Sequence, residues 1–163
     1  MQIFKSLKMK HSIRRFTNMV FYLGLFSFLF FGIWEWMQSP FFTDISEDFN
    51  KIVLFRIHCT FGDILILFSS VTLLCIFKRE IAWIFHPRKM DYILITGMGL
   101  FYTIFSEYIN VQLLQRWKYS NLMPIVPGLR IGLTPIMQWL LLPSIILLVT
   151  KDHLKAIGNE SQQ

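Results

Sequence analysis

Residues Phe16 to Trp34 form an uncharged run between Arg15 and Glu35, and Ile131 to Thr150 form a second between Arg130 and Lys151. About 20 such residues cross the hydrocarbon layer of a bilayer as a helix. Two further runs reach that length only by taking in ionisable side chains. Val53 to Phe77 holds His58 and Asp63, and Tyr92 to Leu114 holds Glu107 and Asn110. The pattern predicts an all-α, polytopic membrane protein with four transmembrane helices at about 16–37, 53–77, 92–114 and 131–150. The chain, residues 1–163, reads as a single domain without internal repeats, flanked by a basic segment 1–15 and a tail 151–163 whose last residues are expected to fray.

Composition agrees with this pattern: 54% of residues are hydrophobic and 16% charged, and mean hydropathy is +0.49. These values exclude a disordered chain and argue against a soluble enzyme. The net charge of +6 matters only through its location. Lys5, Lys8, Lys10, Arg14, Arg15, Lys78, Arg79, Arg88, Lys89, Lys151 and Lys155 fall on one side of the four spans. Lys51, Arg56, Arg116, Lys118 and Arg130 fall on the other, with an acidic cluster of Asp44, Glu47 and Asp48. The positive-inside rule then places both termini in the cytoplasm, in a bacterial-type inner (plasma) membrane. A nucleic-acid partner would need clustered positive charge on a folded soluble face, so none is expected. The expected partners are the lipid bilayer and other membrane proteins, or a second copy of the chain.

The connections carry their own signals. Trp34, Trp36 and Trp117 at the outer boundary, with Trp83 and Tyr92 at the inner one, read as an aromatic belt, while Trp139 lies mid-span and reads as helix packing. Glu35 reads as the outer limit of the first span, with no further role. The outer link from Arg116 to Pro135 holds Pro124, Pro127, Gly128 and Gly132 among apolar residues. It is expected either to cap or re-enter the outer end of the bundle or to rest on lipid headgroups.

Helical rise counted from Phe77 and Tyr92 puts Asp63 and Glu107 at one level, about 21 and 22 Å above the inner boundary. His58 and Asn110 lie just above, at about 28 and 27 Å. Thr96, Gly99, Thr103, Glu107 and Asn110 recur at helical spacing as one polar and small stripe. His58, Cys59, Gly62, Asp63, Ser69 and Ser70 occupy an arc of roughly 140° on the preceding helix, with Arg56 above Asp63. Gln138 and Thr134 share a face of the fourth helix, where Pro135 can free a carbonyl. The sequence therefore predicts an outer-leaflet pocket between helices two, three and four, built from Arg56, His58, Asp63, Glu107, Asn110 and Gln138. Ionisable side chains at such depth are costly and must pair, protonate or face water.

Two function classes compete for these residues. One is an accessory, assembly or transport-type protein that binds a proton, a cation or a polar partner group. The other is an intramembrane hydrolase in which Asp63 and Glu107 are the catalytic acid and base. Gly62-Asp63 resembles half of the signature of intramembrane aspartyl proteases. The size and four-helix plan are similar to those of lipoprotein signal peptidases, whose paired Asp motifs are absent from this sequence. No cofactor is expected other than a metal ion, for which His58, Asp63 and Glu107 are the candidate ligands, with Cys59 or Met123 in support. His11, His86 and His153 lie on the cytoplasmic side, so the bundle lacks the two axial imidazoles of a haem b site.

Overall fold

The computed structural model describes residues 2–43 and 48–160. Its long helices are α1 (Gln2–Met37), α2 (Phe49–Lys78), α3 (Lys89–Glu107) and α4 (Leu133–Glu160). All four contain spans long and apolar enough to cross a membrane, namely Ile13–Met37, Phe49–Lys78, Lys89–Leu113 and Leu133–Gly158. The helices exceed the uncharged runs because charged ends, once outside hydrocarbon, continue the backbone hydrogen-bond ladder unhindered. α1 begins within the basic segment, and α4 runs through Glu160 into the stretch expected to fray. At its other end α4 starts two residues later than predicted, because Ile131 and Gly132 belong to a strand. Asp44 and Glu47 of the acidic cluster lie outside the described residues.

Local chemistry sets the helix limits. The Asp48 carboxylate accepts from the Asn50 N–H at 2.9 Å and caps α2. Arg79, with φ 52°, closes α2 in a left-handed turn. Asp91 accepts from the Arg88 N–H at 2.8 Å, and Lys78 Nζ reaches both of its carboxylate oxygens at 2.7 and 2.8 Å. The end of α2 is thereby clamped to the start of α3. Between them, residues Ala82–Phe85 make a 3-10 turn that folds back against α4. Trp83 is buried and donates to Cys75 Sγ at 3.1 Å, so it packs inside the bundle and not in the interfacial belt its position suggested. Pro135 falls in the first turn of α4, where no helical bond is lost. The proline inside that helix is Pro143.

Each helix packs on the next in the chain, and α4 closes the ring against α1. The core is formed by Leu23 and Phe31 of α1, Leu67 of α2, Ile95 of α3, and Trp139 and Ile146 of α4. Half of the α4 span is buried, against 22% of the α1 and α3 spans, so α4 is the helix around which the others assemble. The outward faces carry exposed Phe21, Leu25, Leu65, Phe101 and Phe105, among others. So continuous an apolar surface suits lipid and not water.

Beyond α3 the backbone passes into a π-helical turn, Tyr108–Leu113, and then into the outer link. That link folds into two small antiparallel ladders. Strand β1 (Phe42–Thr43), which follows α1, pairs with β2 (Lys118–Tyr119). β3 (Ile125–Val126) pairs with β4 (Ile131–Gly132) through a turn in which Gly128 has φ +84°. Met123 and Ile131 are buried, and a Cβ on Gly132 would lie 2.8 Å from Met123 Sδ. The outer link is thus a folded cap over the end of the bundle opposite the chain termini.

Candidate functional site

Under this cap lies a cavity of about 490 Å³ walled by all four helices. On α1 the buried residues Leu23, Ser27, Phe31 and Glu35 form one stripe at helical spacing, which Gln38 continues just past the end of the helix, and Glu35 and Gln38 reach the cavity. α2 contributes Arg56, His58, Cys59, Gly62 and Asp63. α3 and its π turn contribute Thr103, Glu107 and Asn110, and α4 contributes Gln138 and Trp139. All six residues of the predicted pocket, Arg56, His58, Asp63, Glu107, Asn110 and Gln138, therefore line one space.

Their internal arrangement differs from the expected one. Gln138 Nε2 donates to Asp63 Oδ2 at 2.6 Å, and its own Oε1 accepts from Gln38 Nε2 at 3.3 Å. The same Gln38 amide donates to Glu35 Oε1 at 2.6 Å. Two carboxamides thus connect two carboxyls, and the Glu35 and Asp63 carboxyls are close enough to interact electrostatically. The acid paired with Asp63 is Glu35, which the sequence had reduced to a span boundary. Glu107 is turned instead toward the cap, where the Tyr119 hydroxyl and, at 3.4 Å, the Trp117 indole N–H donate to Oε2. Burial and the adjacent Glu107 carboxyl hold the Tyr119 hydroxyl well above the ordinary tyrosine range, so it remains a donor at neutral pH.

Arg56 is 2% exposed and approaches Glu35 at 3.9 Å, with its guanidinium over the rings of Phe42 (5.4 Å) and Phe55 (5.6 Å). Cation–π contact of this kind supports a charge that has lost its water. Asn110 stays on its own turn, donating to Ser106 O at 2.8 Å, and accepts from Arg116 at 3.4 Å at the rim. His58 is exposed at the cavity edge, and Ser69, from the same predicted arc, is exposed altogether. The stripe on α3 faces α4 more than α2: a Cβ on Gly99 would lie 1.9 Å from a ring carbon of Trp139.

Among the described residues no three His, Cys, Asp or Glu side chains converge as a metal-binding group. His58, Asp63 and Glu107, the candidate ligands, do not form one. Glu35, Gln38, Trp117 and Tyr119 are the site residues that sequence reasoning missed. The first two carried a signal in the stripe that runs along α1 and just past its end, whereas Trp117 reaches the cavity, and Tyr119 reaches Glu107, only through the folding of the outer link. Family models, curated proteins and solved structures yield no match to this chain.

Proposed function

We propose that the protein is a small multi-pass membrane protein of accessory, assembly or transport type, with both termini in the cytoplasm of a bacterial-type cell, which binds a proton, a cation or a polar partner group in its outer-leaflet cavity. The observation that carries this reading is the charge inventory of the wall. Glu35, Asp63 and Glu107 line the cavity with Arg56 and, at the rim, Arg116, so three carboxyls face two guanidiniums, and the remaining close partners, Gln38, Gln138, Tyr119 and Trp117, are neutral donors. Neutral donors satisfy lone pairs but leave net charge, which an apolar setting requires to be met by a cation or a proton. Asp63 and Glu35 supply the negative charge. The two carboxamides hold their geometry, Arg56 offsets part of the charge, and His58 and Asn110 stand at the entrance.

The adjacency of Glu35 and Asp63 also favours a second reading, an intramembrane hydrolase whose acid pair shares a proton. That pair would be Asp63 with Glu35 instead of with Glu107.

Thermal unfolding of the protein in maltoside micelles, with Na+, K+, Mg2+, Ca2+ or ammonium added and across pH, tests the binding reading. A bound ion at a hundred times its Kd stabilises by about 2.7 kcal/mol, which corresponds to roughly 5–10 °C for a chain of this size. The expected result is a saturable shift with a cation or on protonation that Asp63→Asn and Glu35→Gln remove. Identical responses in the wild type and both variants would contradict it.

A further inference from the structure

The cavity is closed on one flank and open on the other. Its α1 and α4 wall, Glu35, Gln38, Gln138 and Trp139, is 1–5% exposed. On the α2 and α3 side Arg56, Thr103 and Glu107 are buried as well, but His58 is exposed, Tyr102 is 50% exposed, and Gly62 and Ser106 are half-buried. A Cβ added to Gly62 meets nothing within 4 Å, so there is open space beside this residue, which lines the cavity together with Tyr102 and Ser106 of α3. The opening therefore faces the acyl chains sideways, in addition to the rim at Arg116.

The interior has a specific vacancy in its hydrogen bonding. Gln38 is 5% exposed and its Oε1 has no hydrogen-bond partner among the described residues, although its amide nitrogen is engaged by Glu35 and Gln138. A buried acceptor without a donor is costly and calls for one from outside the protein. It sits one carboxamide away from Asp63. Size and lining then select among cations. A space of about 490 Å³ is in the range of small-molecule pockets. Aromatic faces join the carboxyls. With Arg56 over Phe42 and Phe55, the rings of Tyr102, Trp117 and Trp139 remain in the wall. Carboxyls combined with aromatic faces recognise organic ammonium groups better than small hard ions, which prefer oxygen cages.

We infer that the cavity takes the ammonium group of an amphiphile that enters sideways between α2 and α3, seating the cation by Asp63, Glu35 and Gln38 Oε1 and leaving its alkyl chain in the gap beside Gly62. This inference rests on the cation-binding reading above and names its ligand class.

Octyltrimethylammonium and octylammonium, titrated into the full chain in maltoside micelles below their own micellar concentrations, are the probes. Tryptophan fluorescence and thermal unfolding are the readouts, with octanol and tetramethylammonium as controls for tail and head alone. At least one octyl cation is expected to bind saturably and at least tenfold more tightly than tetramethylammonium, while octanol shows only unsaturable partition. Glu35→Gln with Asp63→Asn should weaken the octyl cation at least tenfold. Gly62→Leu, which fills open space and leaves every buried polar group intact, should weaken it similarly without lowering the melting temperature. Octyl cations that behave like octanol, or that bind Gly62→Leu as tightly as wild type, overturn the inference. If inorganic cations then still give a shift dependent on Asp63, only the ligand class is wrong; if no cation does, the underlying reading has failed as well.

Discussion

Glycine positions show how finely the interior is fitted. Gly99 lies directly beneath the Trp139 ring, and an ideal Cβ would penetrate it at 1.9 Å. Gly97, two residues earlier on α3, is exposed and has nothing within 4 Å of that point. Gly99→Ala should therefore displace the indole from the wall of the cavity and cost about 1–3 kcal/mol, the usual range for overpacking. Gly97→Ala should be neutral or stabilising by up to about 1 kcal/mol through helix propensity alone. Thermal unfolding of the two variants side by side checks this, and equal effects would contradict the close packing of α3 on α4. The residue scale also shows why Glu35 was misjudged from sequence. A charge at the end of an apolar run marks the edge of a span, yet the same residue continues the stripe Leu23, Ser27, Phe31. Helical period decides which way the side chain turns, and here it turns inward.

At the scale of elements, the four helices were legible because uncharged runs of membrane length have few other uses. The site was legible in part, since Asp63, Glu107 and Gln138 stand out as polar residues at depth and all three line the cavity. What the sequence lacked was pairing. The β1–β2 and β3–β4 ladders are two residues per strand and leave no periodic trace, so the engagement of Glu107 by Tyr119 and Trp117 could not be foreseen. Trp83 was misplaced for a related reason: its burial depends on the inner link folding back, which the clamp between Lys78 and Asp91 helps to enforce. Asp91 is 4% exposed and serves as both helix cap and ion-pair partner. Asp91→Ala should cost about 2–4 kcal/mol, combining a lost cap with a stranded ammonium. Chemical unfolding should show it, and fluorescence should report Trp83 moving toward solvent. A loss below about 0.5 kcal/mol, the level of an ordinary surface change, would mean that the clamp does not hold the link.

Across the whole molecule, two asymmetries coincide. Basic residues gather at the end of the bundle that carries the termini, and the acid-lined cavity lies at the opposite end, beneath the cap. An acidic, open space beside low-dielectric walls concentrates cations and repels anions, because field lines are focused where water is scarce. This is the physical basis of the proposed binding, whatever the biological partner. The most direct test is thiol labelling of Gly62→Cys, in a background of Cys59→Ser and Cys75→Ser, in oriented membrane vesicles. A membrane-impermeant cationic methanethiosulfonate and its anionic counterpart are applied to each face in turn. Reaction is predicted from the face opposite the termini only, with the cationic reagent favoured by about tenfold beyond its preference for a free thiol, as expected for a field of a few kT. Glu35→Gln with Asp63→Asn should remove that excess. Equal relative rates for the two reagents, or labelling only from the face that carries the termini, would contradict the account.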